Sequence, residues 1–342
     1  MSFDYLISAR KREGDAFVPK IGPVTFIRVP SAAKTYDPSH IIPPATWLTE
    51  VQGLADGDEN PNSISPTGDV LVFVHGFNNA MEEVIGRTDD LRTNLKNNAW
   101  RGVVVAFDWP SNNSILNYLE DRQVASQVAT LLVDSCIKLL LRGIKAGCTT
   151  NVHLLGHSTG AYVITEAFDQ ARKNGEYFQS DWRVGQVAMI AGDISVDSMG
   201  VKAASSQAMM PRINRFTNYS NGSDAVLAVS NAKRLGVSPR LGRKGLPADA
   251  DPVKAVNVDC TKHFNEVDAP TNPDLAYSHA WYFRDARFGL DLAMTLEGAI
   301  DRRAIPTRTD TTWGLILNET GQRPKSQAAW GIKDAAKMAV GT

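Results

Sequence analysis

Asn151-Val152-His153-Leu154-Leu155-Gly156-His157-Ser158-Thr159-Gly160 is the stretch on which the fold turns. An apolar run ends in Gly-x-Ser-x-Gly, and a helical pattern over 161–173 opens directly after it. Strand, sharp turn carrying a serine, then helix is the setting of a nucleophile elbow. The two glycines have a steric task. The serine sits in a strained backbone conformation, and side chains on either flank would strike the neighbouring strand and helix. The spacing alone arises by chance, so the strand before and the helix after are what make it informative.

The sequence on either side fits a parallel sheet. Asp69-Val70-Leu71-Val72-Phe73-Val74 and Gly102-Val103-Val104-Val105-Ala106-Phe107 are near-continuous apolar runs, as strands buried on both faces require. A polar helix is expected between them, over 80–97. Apolar residues at helical spacing, Val124, Val128, Leu131, Leu132, Leu139 and Leu140, then predict a helix that Gly147 can end. Further strands are expected over 184–190, 215–219 and 254–258. Strands alternating with helices imply a mostly parallel central sheet covered by helices on both faces, an α/β fold. Two N-terminal strands are expected at 5–9 and 24–29, and the Pro-, Ser- and Asp-rich stretch 30–68 reads as irregular. With no repeat and no convincing linker, the expectation is one domain over 1–342.

Bulk properties allow an enzyme without demanding one. The chain has 342 residues, 43% of them apolar, with 36 basic and 37 acidic side chains and a formal net charge of −1. No global field draws it to nucleic acid or a membrane surface, so no nucleic-acid partner is expected. The three cysteines, Cys136, Cys148 and Cys260, lack metal spacing and do not suit a disulfide framework. The first residues are charged with no apolar signal region, and Asp134 and Lys138 interrupt the longest apolar run. The expectation is therefore a cytoplasmic protein with no transmembrane segment. Phosphate-loop, dinucleotide and Cys/His metal motifs are not found, so no cofactor and no metal are expected.

A serine hydroxyl needs a base to take its proton and a third group to orient that base. On this strand pattern the chain order is serine, acid, histidine. His40, His75 and His153 precede Ser158, and His157 lies inside the elbow, which leaves His263 and His279. His279 is favoured because it hangs on the long loop before the final helical pattern. For the acid, Asp224 follows the second strand beyond the elbow. Asp193, after the first, is the alternative, and Asp197 ranks third. At such positions an aspartate is most commonly a cap or turn residue. The oxyanion donors expected are the backbone N–H of Thr159 and, from the loop His75-Gly76-Phe77-Asn78-Asn79, that of Phe77. Loss of one such donor typically costs about 3–4 kcal/mol of barrier. His75 itself is expected to brace its loop.

The segments Phe73-Val74-His75-Gly76-Phe77-Asn78, Phe107-Asp108-Trp109-Pro110-Ser111, Gly156 to Gly160, Tyr219-Ser220 leading to Asp224, and Ser278-His279 together resemble an α/β-hydrolase, in particular a poorly characterised bacterial group of that superfamily. The resemblance covers about 69–288, leaving an N-terminal part, 1–68, and a C-terminal extension, 289–342. It implies a serine carboxylic-ester hydrolase working through an acyl-enzyme, with Ser158, Asp224 and His279 as triad. Small-molecule or polymeric esters are the implied substrates. His75-Gly76-Phe77 departs from the His-Gly-Gly-Gly loop of many esterases, and the bulk of Phe77 argues against large tertiary-alcohol esters. An acyltransferase using the same triad and a non-catalytic binding protein on the same scaffold are the alternatives. Leu116, Tyr118, Met209 and Met210 are candidates for an acyl pocket. The basic stretch 231–245 reads as a solvated loop. Lid mobility and oligomeric state are left open.

Overall fold

The structure is a computed structural model; it describes residues 2–55, 69–77, 79–111, 118–142, 151–174, 182–233, 238–272, 274–312 and 314–324. One sheet of eleven strands organises them. In chain order these are β1 (Phe3–Glu13), β2 (Ala16–Pro30), β3 (Ile41–Ile42), β4 (Val70–Val74), β5 (Val103–Asp108), β6 (Val152–His157), β7 (Val184–Ile190), β8 (Ile213–Ser220), β9 (Ala255–Asp259), β10 (Arg308–Thr311) and β11 (Gly314–Leu317). Across the sheet they run β10-β11-β9-β8-β7-β6-β4-β5-β1-β2-β3. The pairings from β11 through β1 are parallel, and antiparallel hairpins close both edges. This is the mostly parallel sheet with helices that the sequence pattern implies.

The alternation of side chains along β4 explains why its run is apolar throughout. Val70, Val72 and Val74 enter one core with Trp47, Val128, Leu132, Ile164 and Phe168. Leu71 and Phe73 enter the other with Leu91, Leu95, Phe288 and Leu292. Helices Pro44–Ala55, Tyr118–Leu131 and Gly160–Lys173 thus cover one face, and Met81–Asn97 and Ala286–Glu297 the other. The apolar helical run 124–141 is long enough to span a bilayer, yet Val128, Leu132, Val133, Cys136 and Ile137 are buried in the first core. It packs as a core helix.

Three expectations need correcting. The stretch 30–68 is not irregular over its described part, since β3 and helix Pro44–Ala55 lie within it. Trp47, Val51 and Ala55 recur every four residues and are fully buried, so this helix was legible in period but masked by its prolines. The N-terminal strands are also longer than their apolar segments, because pairing in a hairpin carries polar residues along. The third correction concerns the end of the sheet. Two short strands lie beyond β9, and helix Ala286–Glu297 runs through residue 289, where the resemblance stops.

Register sets the site. Val74 pairs with both Phe107 and Gly156, His157 with Ile190, and Ile190 with Tyr219. The loops after β4, β5, β6, β7 and β8 therefore leave the sheet at one level, on its carboxyl edge. There the chain order reverses between β6 and β4, which is where open α/β sheets place their sites.

Candidate active site

Ser158 follows β6 with φ +55°, a backbone conformation uncommon for any residue with a side chain. The turn is held from β7: Ser158 N–H donates to Ile190 C=O at 3.2 Å, and Asp193 N–H donates to Ser158 C=O at 3.0 Å. Crowding accounts for both glycines. A Cβ at Gly160 would stand 2.1 Å from Val74 O, and one at Gly156 would stand 2.9 Å from Ala161 N.

The loop after β4 passes against the serine. A Cβ at Gly76 would lie 2.6 Å from Ser158 Cβ and 3.2 Å from its Oγ, so only glycine admits this approach. The next residue, Phe77, is half-buried, and Thr159 is buried. Thr159 thus follows Ser158 in the chain, and Phe77 follows the glycine that meets it. Asn78 lies outside the described residues.

His279 and Asp224 meet. His279 Nδ1 is 2.7 Å from Asp224 Oδ2, with the carboxylate fully buried. The other oxygen, Oδ1, accepts the N–H of Leu227 at 2.8 Å and so fixes the carboxylate plane. With Nδ1–H directed at Asp224, His279 keeps its basic lone pair on Nε2. The histidine is tied to the elbow by a residue that chain order had set aside. His157 Nε2–H donates to His279 C=O at 2.9 Å, and the two rings stand 4.8 Å apart. Burial, followed by the nearby His279 and Arg87, pushes the His157 pKa well below 6.5, so its ring is neutral and Nδ1 accepts from Arg87 at 3.3 Å. On the other side, Asn221 Nδ2 donates to Ser278 C=O at 3.2 Å and Ser278 Oγ accepts from Ala225 N–H at 3.0 Å.

The alternative residues are engaged elsewhere. Asp193 accepts from Ser230 Oγ at 3.1 and 3.2 Å and stands 3.5 Å from Arg240 Nε, not on His279. Burial raises its pKa to about 6 despite the opposing charge of Arg240. His263 has carboxylates on both ring nitrogens, Asp285 and Glu319. Asp197 accepts from Ser238 Oγ at 3.0 Å. Met209 and Met210 are buried core side chains. Leu116 lies outside the described residues, as does the side chain of Tyr118. The stretch 238–245 corrects the solvated-loop reading: Arg240 is buried, Leu241 joins the core, and a Cβ at Gly242 would stand 2.2 Å from Gly192 N.

One cluster escaped the sequence reading. Asp108, closing β5, lies fully buried behind the Gly76 loop and accepts Arg10 Nε at 2.7 Å and Nη2 at 3.0 Å. His75 Nε2 is 2.9 Å from the same carboxylate, and Tyr36 O–H also donates to it. Burial alone would raise the Asp108 pKa; the Arg10 guanidinium and the bond from His75 override it and hold the carboxyl well below its ordinary range. Arg10 Nη2 also donates to Asn79 C=O at 3.0 Å, and Asn79 Nδ2 donates to Gly76 C=O at 2.8 Å. Trp109 stacks on His75 and donates Nε1–H to its carbonyl at 2.9 Å. His75 is thus a brace, and β1 holds the loop that passes Ser158. The readable signal was a lone aspartate ending a strand that is otherwise wholly apolar.

A family described as alpha/beta hydrolase of unknown function (DUF900) matches residues 60–262, more than half of the chain. This chain is an alpha/beta hydrolase of that family. Ser158 and Asp224 of the hydrolase lie inside the matched span and His279 beyond it. No curated protein sequence matches it. Among solved structures it is similar to the metagenomic carboxyl esterase MGS0156, at 14% identity and a TM-score of 0.31, over 68% of this chain and 76% of that one. It is similar too to an extracellular alpha/beta-hydrolase of a Paenibacillus species, at 13% and 0.28, over 80% and 98%. A lipase-esterase related protein of Clostridium acetobutylicum ATCC 824 aligns at 12% and 0.25, over 45% and 74%. Likenesses this distant say nothing of substrate. A surface cleft of the hydrolase, lined by Val133, Lys138, Gln170 and Asn174, contains none of the groups around Ser158.

Proposed function

We propose that this hydrolase cleaves carboxylic esters through an acyl-enzyme on Ser158. The observation that carries the reading is the 2.7 Å contact of His279 Nδ1 with a buried Asp224, on a loop bonded to His157, the chain neighbour of a serine held at φ +55°. A binding scaffold without chemistry has no use for both a strained serine and an oriented base tied to its elbow.

In this reading His279 Nε2 takes the Ser158 proton as Oγ adds to the substrate carbonyl. Asp224 holds the imidazole in the required tautomer and stabilises its charged form. The tetrahedral oxyanion is received by the N–H groups of Phe77 and Thr159, and the braced Gly76 loop keeps the first of these in place without reorganisation. Collapse expels the alcohol, which takes its proton from His279. Water, deprotonated by the same nitrogen, then releases the acid and restores Ser158. Transfer to an added alcohol instead of water would make the hydrolase an acyltransferase.

Labelling with a small fluorophosphonate, read by intact mass and peptide mapping, tests the proposal without a known substrate. A single adduct on Ser158, absent from Ser158→Ala, is expected, together with turnover of a short-chain aryl ester that Ser158→Ala loses by about a million-fold. Folded protein that gains no adduct and turns over no ester would sink the reading.

A further inference from the structure

We propose that His263, Asp268 and Asp285 form a divalent-cation site of the zinc type on the far side of the loop that carries His279. His263 and Asp268 lie five residues apart on the continuous helical stretch Thr261–His263 and Phe264–Asp268 after β9, Asp285 caps helix Ala286–Glu297, and their candidate ligand atoms lie within 4.8 Å of one another. All three side chains are at least nine-tenths buried, at 1%, 9% and 8% exposure.

Each group has one atom spent on holding its position and one aimed at a common point. Asp285 Oδ1 accepts the N–H of Phe288 at 2.6 Å, and its Oδ2 is hydrogen-bonded to His263 Nε2 at 3.0 Å, a bond that an ion between the two would replace. Asp268 Oδ1 accepts from Tyr277 O–H at 2.9 Å. Its Oδ2 has no hydrogen-bond partner among the described residues and lies 3.7 Å from His263 Nε2, too far for a hydrogen bond. His263 Nδ1 is bonded to Glu319, the carboxylate–histidine arrangement that directs the other ring nitrogen at a metal. An unsatisfied buried carboxylate oxygen is costly, and three carboxylates face one imidazole here.

The geometry selects the ion class. Ligands about 2.1 Å from a tetrahedral zinc stand roughly 3.4 Å apart. Two of the three separations, 3.0 and 3.7 Å from Nε2, bracket that value, and all three lie within 4.8 Å. One imidazole and two carboxylates are too few oxygens for calcium, which takes about 6–8. The site is structural with respect to the reaction. Tyr277 and Trp281 flank His279, the first bonded to Asp268 and the second 5.5 Å from the His263 ring, so an ion here braces the His279 loop from behind. The metal claim stands apart from the ester reading, because labelling of Ser158 reports on one and ion uptake on the other.

The test is zinc titration of the chelator-stripped full chain against a chromophoric chelator, with melting curves taken with and without Zn²⁺. One Zn²⁺ per chain is expected, with affinity down at least about a hundredfold in Asp268→Asn and about ten- to a hundredfold in Glu319→Gln. Stripped Asp268→Asn should melt at or above the wild type, since it loses an unsatisfied charge, and added Zn²⁺ should raise only the wild type. Co²⁺ should give the absorption of a nitrogen–oxygen site. Absence of stoichiometric uptake would overturn the proposal. So would equal uptake or an equal melting rise in Asp268→Asn, or a thiolate charge-transfer band placing the ion on cysteine.

Discussion

Ser158 at φ +55° and Ala191 at φ +47° are two strained positions side by side at the ends of β6 and β7. Such strain costs about 1–3 kcal/mol each and persists only where the surroundings fix it. Here the fixing bonds are those from Ser158 N–H to Ile190 and from Asp193 N–H to Ser158. The same geometry supports Asp224 as the acid of the proposed reaction. Asp193 spends its side chain on Ser230 and Arg240, whereas Asp224 spends an oxygen on His279. Asp224→Asn is therefore expected to lower kcat on an aryl ester by about 10,000-fold, through loss of the correct tautomer. Asp193→Asn should stay within about tenfold of wild type. Steady-state kinetics on the two variants decides the point, and the reverse ranking would move the acid to Asp193.

At the scale of elements, the loop after β4 depends on β1, a strand from the part of the chain that the family match leaves out. Arg10 and Asp108 form a buried pair whose other contacts run to His75, Tyr36 and Asn79. Removing one partner of a buried pair typically costs about 3–5 kcal/mol, because the other charge is left uncompensated. Asp108→Asn should thus lose several kcal/mol in urea unfolding and, in whatever folds, lower kcat more than KM is raised, since His75 and the Gly76 loop lose their anchor. The sign with pH follows from the depressed carboxyl. The folded state binds fewer protons than the unfolded chain, so this contribution is complete above the ordinary value of 3.8 and is lost as pH falls below it. Melting temperatures of wild type should drop through that acid range, and Asp108→Asn should lack that part of the slope.

Across the whole molecule, the two ends of the described chain close opposite edges of one sheet. The C-terminal hairpin is secured by Arg308, fully buried against Asp291 of the last long helix, with Tyr219 and Thr295 completing the cluster. Burial works against both charges, and their mutual attraction outweighs it, raising the arginine and lowering the aspartate. Arg308→Leu should cost about 3–5 kcal/mol in chemical denaturation. Because Asp291 also holds Tyr219 of β8, the strand that leads to Asp224, the loss should appear as one cooperative transition and not as a separate unfolding of the hairpin. A biphasic curve would show the hairpin to be an independent appendage.

The sequence by itself determined what short-range pattern can carry. Apolar runs of strand length placed β4 to β8 within a residue or two, and Gly156 to Gly160 placed the elbow, because glycine spacing and strand–helix context are local. Chain order then narrowed six histidines to His263 and His279 and named Asp224 and Asp193. Loop position favoured His279 and Asp224 within these pairs, but that the two meet is visible only in the tertiary structure, since a loop residue's partner depends on which strands lie side by side. The helix at Pro44–Ala55 and the strands of the last hairpin escaped because prolines and short length hide their period. The clusters around Asp108 and His263 were beyond the sequence for a more general reason. Arg10, Tyr36, His75 and Asp108, like the neighbours His263 and Asp268 with Asp285 and Glu319, come from distant parts of the chain, and only the register of one sheet brings each set to a single point.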